Sequence, residues 1–295
     1  MNELIYIVIL NWNQPDISRN CIDSILRSTY QHLKIILVDN GSSSNNYHYL
    51  LQILQNYPIE IIRSETNLGF AKGNNLGIEW ALKKGADNIL LINNDTIIDP
   101  EMISIMINEF IKIPEVGIIG PSIYYLDNPL KMWFAGYNIP DNLFVLRTGL
   151  NIKIKDEKPL VLVDFVSGCG MMIKRQVIDE IGLLPDVYFM YYEDLEYCIK
   201  AKKHGWKIAY IPNAKMWHAV SLSSGGYQGA KKEYYQIRSS IIFIKRNTRG
   251  LEFYINLAIR FIHITIFFLI ALVKRRLSLN LIKLYLLGLF KGLQE

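Results

Sequence analysis

Through the first 120 residues, short apolar runs alternate with segments of helical periodicity, and this alternation constrains the fold more than any other feature. The runs are Ile5–Leu10, Ile35–Val38, Ile59–Ile62, Ile89–Ile92 and Val116–Ile119. Helical patterns at Pro15–Ser28, Asn45–Gln55, Lys72–Lys84 and Pro100–Ile111 lie between them. A run apolar on both faces is buried on both, and such runs separated by helices build βαβ units with a parallel sheet covered on either side. The fold class is therefore α/β. Ligands of such sheets sit beyond the carboxyl ends of the strands. The first site candidates are then the residues just after each run: Asn11 and Asn13, Asp39-Asn40-Gly41-Ser42, and Asn93-Asn94-Asp95-Thr96.

Periodicity fades between Gly120 and about Asn151 into a Tyr-, Pro- and Gly-rich stretch with Trp133 and Gly136, which reads as a loop or meander. Order returns with a strand over Val161–Val166, helices over Lys174–Ile181 and Asp194–His204, and a strand over Lys207–Ile211. Ser221, Ser223, Ser224 and Gly225-Gly226 read as a loop, and a helical region opens near Ala230. We expect a catalytic-type α/β domain over 1–225 and a helical extension over 226–295. The run from Leu4 to Leu10 is a buried strand rather than a signal peptide, because Glu3 precedes it and no small-residue cleavage site follows. Cys21, Cys169 and Cys198 are odd in number, far apart and without a C-x-x-C pair, which excludes a disulfide framework or zinc knuckle and fits a reducing compartment.

Charge divides the chain as well. From Gly226 onward twelve Lys/Arg face three acids, whereas the preceding part has twenty against twenty-four. A basic segment on an acidic body suggests an anionic neighbour. Within it, Phe261–Val273 is almost wholly apolar between Arg260 and Lys274-Arg275-Arg276, and Leu277–Leu289 follows with Lys283 inside. Neither stretch has the ~20 uninterrupted apolar residues of a bilayer span. Basic residues that snorkel beside apolar faces are what an interfacial helix needs, so the expectation is in-plane membrane association. Two core or dimer-interface helices, or a span over Phe253–Val273 that tolerates Arg260 and His263, are the alternatives. Interleaving with aliphatic residues favours lipid over nucleic acid.

Four motifs carry candidate chemistry. Asn93-Asn94-Asp95 at a strand end suits a divalent cation, or an Asx turn before the next helix. Glu193-Asp194-Leu195-Glu196 places three acids at a helix start, where they complement the macrodipole or supply a general base. His218 after Trp217 is a structural residue unless a partner such as Asp95 makes it a ligand. Gly69, Gly73 and Gly77 are spaced by four, which excludes a G-x-G-x-x-G dinucleotide fingerprint and permits close approach to the sheet or a ligand.

In order, these segments resemble the inverting glycosyltransferases of family 2, which have the nucleotide-diphospho-sugar transferase (GT-A) fold, and within them the rhamnosyltransferase-like branch. The resemblance spans roughly residues 4–247. It rests on Ile7-Val8-Ile9-Leu10-Asn11-Trp12-Asn13, Val38-Asp39-Asn40-Gly41-Ser42, Asn67-Leu68-Gly69-Phe70-Ala71, Leu91-Ile92-Asn93-Asn94-Asp95-Thr96, Asp164-Phe165-Val166-Ser167-Gly168, Phe189-Met190-Tyr191-Tyr192-Glu193-Asp194 and Trp217-His218. It implies a Rossmann-like, mostly parallel sheet with a membrane-associating helical extension.

The resemblance also implies roles. Asp39 matches the carboxylate that reads the nucleotide base, with Asn11 and Asn13 bordering the pocket, and Asn67, Gly69 and Asn74 match the segment along the nucleotide. Asp95 and His218 match the ligands of Mg²⁺ or Mn²⁺, with Asn94 beside them. Asp194 matches the catalytic base, with Glu193 as its neighbour, and Trp133 and Gly136 match a loop near sugar and acceptor. The implied partners are a dTDP- or UDP-linked sugar donor, a lipid-linked or cell-surface glycan acceptor and the cytoplasmic face of a membrane, with no nucleic acid. Departures are Asn93 at the first metal position, Glu196 where Asp is common, and Ser239 after Arg238 where Asn is usual. Arg238 is a candidate diphosphate contact or a solvated basic face. A catalytically silent homologue that only binds nucleotide sugar or membrane is the alternative that Asn93 raises.

Overall fold

The structure, a computed structural model, describes residues 3–139, 158–220, 230–273 and 279–295. The chain begins with strand β1 (Ile5–Asn11), helix α1 (Pro15–Leu26), β2 (Leu33–Asn40), α2 (Ser44–Leu54), β3 (Ile59–Ser64), α3 (Gly69–Lys83) and β4 (Asn88–Asn93). It continues with β5 (Thr96–Ile98), α4 (Met102–Phe110), β6 (Val116–Tyr125), β7 (Met132–Phe134), β8 (Val161–Val163), β9 (Gly170–Lys174) and α5 (Arg175–Ile181). The last elements are α6 (Glu193–Lys203), β10 (Lys207–His218), α7 (Ala230–Asn247), α8 (Gly250–Val273) and α9 (Leu279–Gln294).

The strands form one mixed sheet in the order β3-β2-β1-β4-β9-β6-β10-β5, with β7 on β6 and β8 on β10. β3, β2, β1 and β4 are parallel, as the alternation requires. Side chains along β1 divide between the two faces. Ile5, Ile7 and Ile9 pack with Cys21, Ile22 and Ile25 of α1 and with Leu50, Met102 and Met106. Tyr6 and Val8 pack with Ala71, Ile78 and Ala81 of α3 and with Val177 and Cys198. A Cβ on Gly73 would lie 2.6 Å from Leu10 Cδ1, and one on Gly77 2.4 Å from Val8 Cγ1. Gly73 and Gly77 therefore serve the close seating of α3 on the sheet, whereas Gly69, at φ 82°, lies against the backbone of Phe189.

One strand departs from the expected pattern. β9 runs antiparallel between β4 and β6, so β4 and β6 point the same way, and β10 lies parallel to β6. Its apolar part is only Met171-Met172-Ile173 between glycines and a helix start, too short to separate from a loop by periodicity. The carboxyl ends of β1, β2, β4, β6 and β10 consequently open on one edge, and β9 enters the sheet from that same edge. β10 also runs further than the expected Lys207–Ile211. A register shift between Ile211 and Lys215 absorbs Pro212, and pairing resumes to His218. In the stretch read as a meander, β7 pairs antiparallel with β6; its continuation past residue 139 lies outside the described residues. So do the expected loop 221–226, with the domain boundary inside it, and Lys274-Arg275-Arg276. The three cysteines are buried and free, as expected.

α7 packs on the sheet domain, its Ile242 and Phe243 joining Tyr188, Leu195 and Ile199. α9 lies on α7 through Gly288 and Gly292, where Cβ atoms would stand 2.8 Å from Tyr234 O and 2.8 Å from Ile241 Cβ. α8 contains a stretch of 21 residues, Gly250–Ile270, long and apolar enough to cross a membrane, of which 11% is buried within the molecule. The helix runs unbroken through Arg260 and His263, as the Phe253–Val273 alternative requires, and so little burial sets it outside the core of this chain.

Candidate active site

The candidate residues gather at the edge where the parallel strands end. Asn11 and Asp39 are register partners at the ends of β1 and β2. Asn11 Nδ2 donates to Asp39 Oδ1 (2.8 Å), and its Oδ1 accepts from Ser18 Oγ (2.8 Å). Asp39 is fully buried, and its Oδ2, 3.8 Å from Arg63 Nε, has no hydrogen-bond partner. A buried carboxylate oxygen with spare acceptor capacity is suited to a ligand N–H. Asn13 adopts φ 55° and spends its side chain on the loop, accepting from Ser43 N (2.8 Å) and Asn46 Nδ2 (3.0 Å). Gly41, at φ 74°, lets Thr66 approach to where a Cβ would stand 2.3 Å from its carbonyl carbon. Asn40 then ties down the next segment, its Oδ1 accepting from Leu68 N (3.0 Å) and its Nδ2 donating to Gly69 O (3.0 Å). Asn67 Oδ1 accepts from Gly69 N (2.9 Å).

After β4, Asn94 donates to Ser18 Oγ (3.0 Å) and turns the chain so that Asp95 faces the end of β10. His218 Nε2 lies 3.0 Å from Asp95 Oδ1, and both side chains are buried. The two face each other as a buried pair, and a carboxylate beside an imidazole is a donor set that suits a divalent cation, while no group of three potential ligands occurs among the described residues. In the metal-free pair the imidazole is pushed up to about 10, burial opposing the charge and Cys169 and Asp95 outweighing it. Trp133 of β7 meets the His218 ring edge-on, with centroids 4.8 Å apart.

The acidic pair arrives through β9. Asp194 Oδ2 accepts from Gly168 N (2.9 Å) and Oδ1 from Leu195 N (2.8 Å), while Cys169 O accepts from Asn93 N (3.2 Å). The antiparallel strand thus couples the α6 start to the Asp95 turn. Asp194 is half-buried, whereas Glu193 is 4% exposed with an unbonded Oε2. Burial pushes both carboxyls up. The neighbouring Asp194 adds to the rise in Glu193, and the amides of Gly168 and Leu195 restrain that of Asp194. Tyr191 and Tyr192, just upstream, hold φ 71° and 75°, strain of the kind concentrated at functional sites.

The family described as glycosyltransferase like family 2 matches residues 2–250, most of the chain. The chain belongs to glycosyltransferase family 2. It is 26% identical over 257 residues to the dTDP-rhamnosyl transferase RfbF of Shigella flexneri, covering 84% of this chain and 82% of that one. To the N-acetylglucosaminyl-diphospho-decaprenol L-rhamnosyltransferase of Mycobacterium tuberculosis it is 22% identical over 253 residues, covering 76% and 79%. The mannosyltransferase PcManGT from Pyrobaculum calidifontis, solved with GDP-Man and Mn²⁺, superposes with a TM-score of 0.59 at 12% identity, over 99% of this chain and 81% of that one. The fold is GT-A and the chain is a glycosyltransferase.

Some expected residues of this glycosyltransferase are engaged elsewhere. Asn74 is buried in α3 and donates to Phe70 O (2.9 Å) within its own helix. Arg238 is neither a solvated face nor free, since its guanidinium reaches Glu295 Oε1 (2.8 Å) and Val187 O (3.5 Å). Other supports carry no sequence motif. Asn75 clamps Leu184 by two backbone-like bonds of 2.9 and 3.1 Å. Ser239, the departure noted above, donates to Met190 O (2.7 Å) beside the strained tyrosines. Glu196 receives the Tyr188 hydroxyl, Arg246 Nε and Nη2 (2.9 and 2.8 Å) and Asn247 Nδ2 (3.1 Å), fastening α6 to α7. Its position one turn into an acidic helix start was the available signal, but its partners on α7 stand about fifty residues away in sequence.

Proposed function

We propose that this enzyme moves a hexose or deoxyhexose such as rhamnose from a dTDP- or UDP-linked donor to a lipid-linked or cell-surface glycan acceptor, inverting the anomeric centre. The observation that carries this reading is the convergence of Asp39, the Asp95–His218 pair and Asp194 on one sheet edge. The unbonded oxygen of Asp39 suits the imide N–H that uracil and thymine share. Asp194 takes the proton of the acceptor hydroxyl as its oxygen bonds to the anomeric carbon. The bond from that carbon to the diphosphate breaks, and its electron pair leaves with the nucleoside diphosphate. Asp95 and His218 would hold Mg²⁺ or Mn²⁺. When bound, such an ion neutralises charge developing on the diphosphate. Similarity to the two rhamnosyltransferases supports a rhamnose donor and, through one of them, a diphospho-lipid acceptor.

The test is a thermal-shift panel of nucleotide sugars with and without Mn²⁺, because a ligand that prefers the native state raises its stability. At a hundredfold excess over Kd the gain is about 2.7 kcal/mol. We expect a dTDP- or UDP-sugar to raise the melting temperature in Mn²⁺, and Asp95→Asn to abolish the metal-dependent part. A wild-type protein stabilised by a donor that it never turns over would support the silent homologue instead.

The tail is read as a peripheral anchor on the cytoplasmic face. Leu269 of α8 and Phe290 of α9 are each 57% exposed, so charge there costs the fold little. The double variant Leu269→Glu, Phe290→Glu is expected to weaken sedimentation with phosphatidylglycerol vesicles by about 100-fold, from the apolar burial lost at two side chains. Unchanged sedimentation would exclude these faces from the membrane contact.

A further inference from the structure

Inside the apolar sequence of α8, past the first-turn Glu252, one permanently charged side chain remains, Arg260. Its Nε is buried and lacks a hydrogen-bond partner. One turn earlier Asn256 is 1% exposed; its Nδ2 donates to Glu252 O (2.9 Å), and its Oδ1 is unbonded. Arg260 is within electrostatic reach of the hydroxyls of Tyr192, which bonds to Ser240, and of Tyr285, which donates to Glu233 Oε2 (2.9 Å). Nearby cations of α7 are committed, Arg246 to Glu196 and Arg238 to Glu295. Tyr192 stands two residues before Asp194 in strained backbone. An unbonded donor and an unbonded acceptor buried on one helix face cost free energy unless something binds them.

We propose that Arg260 binds a phosphate group of the acceptor at the membrane surface, and that Asn256 Oδ1 accepts from a hydroxyl beside it. This rests on the transferase reading for the identity of the acceptor. A guanidinium pairs with phosphate through two parallel hydrogen bonds. In the peripheral-anchor reading α8 turns its exposed face to lipid, and a phosphate held by Arg260 lies on the side of the helix toward Tyr192, two residues before Asp194. Phosphate is common to a lipid-linked diphosphate and to free pyrophosphate, and two assays separate them.

The full chain is floated with phosphatidylcholine vesicles containing polyprenyl diphosphate, and with charge-matched phosphatidylglycerol vesicles. We expect wild type to prefer the former by about tenfold, the strength of one charge-assisted contact. Arg260→Gln should bring that ratio to about one, while Arg260→Lys, which keeps the charge, should retain part of it. Equal ratios for wild type and Arg260→Gln, with both proteins melting normally, would overturn the assignment. Inorganic pyrophosphate in solution should compete for wild type and not for Arg260→Gln. Competition without any vesicle preference would overturn the lipid source. Failure of the donor panel would sink the dTDP- or UDP-sugar assignment alone and leave the vesicle ratio to judge this site.

Discussion

Asp194→Asn is expected to lower sugar transfer by about 10²–10⁴-fold, the contribution of a positioned general base, while nucleotide binding through Asp39 persists. Both oxygens of Asp194 accept backbone N–H bonds, at Gly168 and Leu195. An amide offers only one acceptor, so one N–H would face an NH₂ group, and stability should also fall by about 1 kcal/mol. Melting temperature and nucleoside-diphosphate release, measured together, separate the two effects. Glu193→Gln is the control. Its carboxyl is sealed and pushed up toward the neutral form, which a glutamine imitates, so transfer should change by less than about tenfold. Equal losses in the two variants would move the base to Glu193. The pH profile follows from the same geometry. Transfer needs the ionised carboxylate, and burial raises Asp194 above its ordinary 3.8. The rate is therefore full above the raised value and falls as pH drops through it, starting at a higher pH than for an exposed aspartate.

The largest effect on stability is expected at Glu196. Glu196→Ala leaves the hydroxyl of Tyr188, which is fully buried, without its acceptor and frees Arg246 and Asn247. An orphaned buried hydroxyl costs about 1–3 kcal/mol. The ion pair adds less than a sealed one would, because Arg246 is 50% exposed. A total of about 2–4 kcal/mol should lower the melting temperature by several degrees. Glu196→Gln, which still accepts from Tyr188 and Asn247, should recover much of it. Since Glu196 lies half a turn past Asp194 on α6, the alanine variant should also lower kcat more than it raises KM for the donor. A melting temperature within a degree of wild type would show that α7 is held by its apolar contacts alone.

What could be read in the chain depended on where its partners lie. β1 to β4 and the helices between them were legible because their apolar residues repeat locally, and burial on both faces leaves no other arrangement for such runs. Asp39, Asp95 and Asp194 were legible as candidates because they stand beside strand ends or a helix start, and His218 only as a possible partner of Asp95 and through the family motif. β9 escaped because three apolar residues carry no period, and the last part of β10 because Pro212 interrupts it. Asn75, Glu196 and Ser239 escaped because each acts on a backbone or side chain distant in sequence, and nothing local marks the pairing. Arg238 was open to two readings, and its ion pair with Glu295 is a third that only packing of α9 on α7 creates.

The sequence by itself determined the α/β class, the covered parallel strands, the free cysteines, the basic apolar tail and the family, since each follows from local pattern or from motifs in order. Tertiary structure alone decided that β9 runs against its neighbours. That reversal puts Gly168 and Cys169 at the carboxyl edge, where one amide holds Asp194 and a carbonyl meets Asn93. It also decided that His218 ends a strand facing Asp95 and that α7 clamps the acidic helix. The reason is physical: hydrogen-bond pairing between strands and the closeness of buried charges depend on distances across the fold, which residue order specifies only once the whole core has packed.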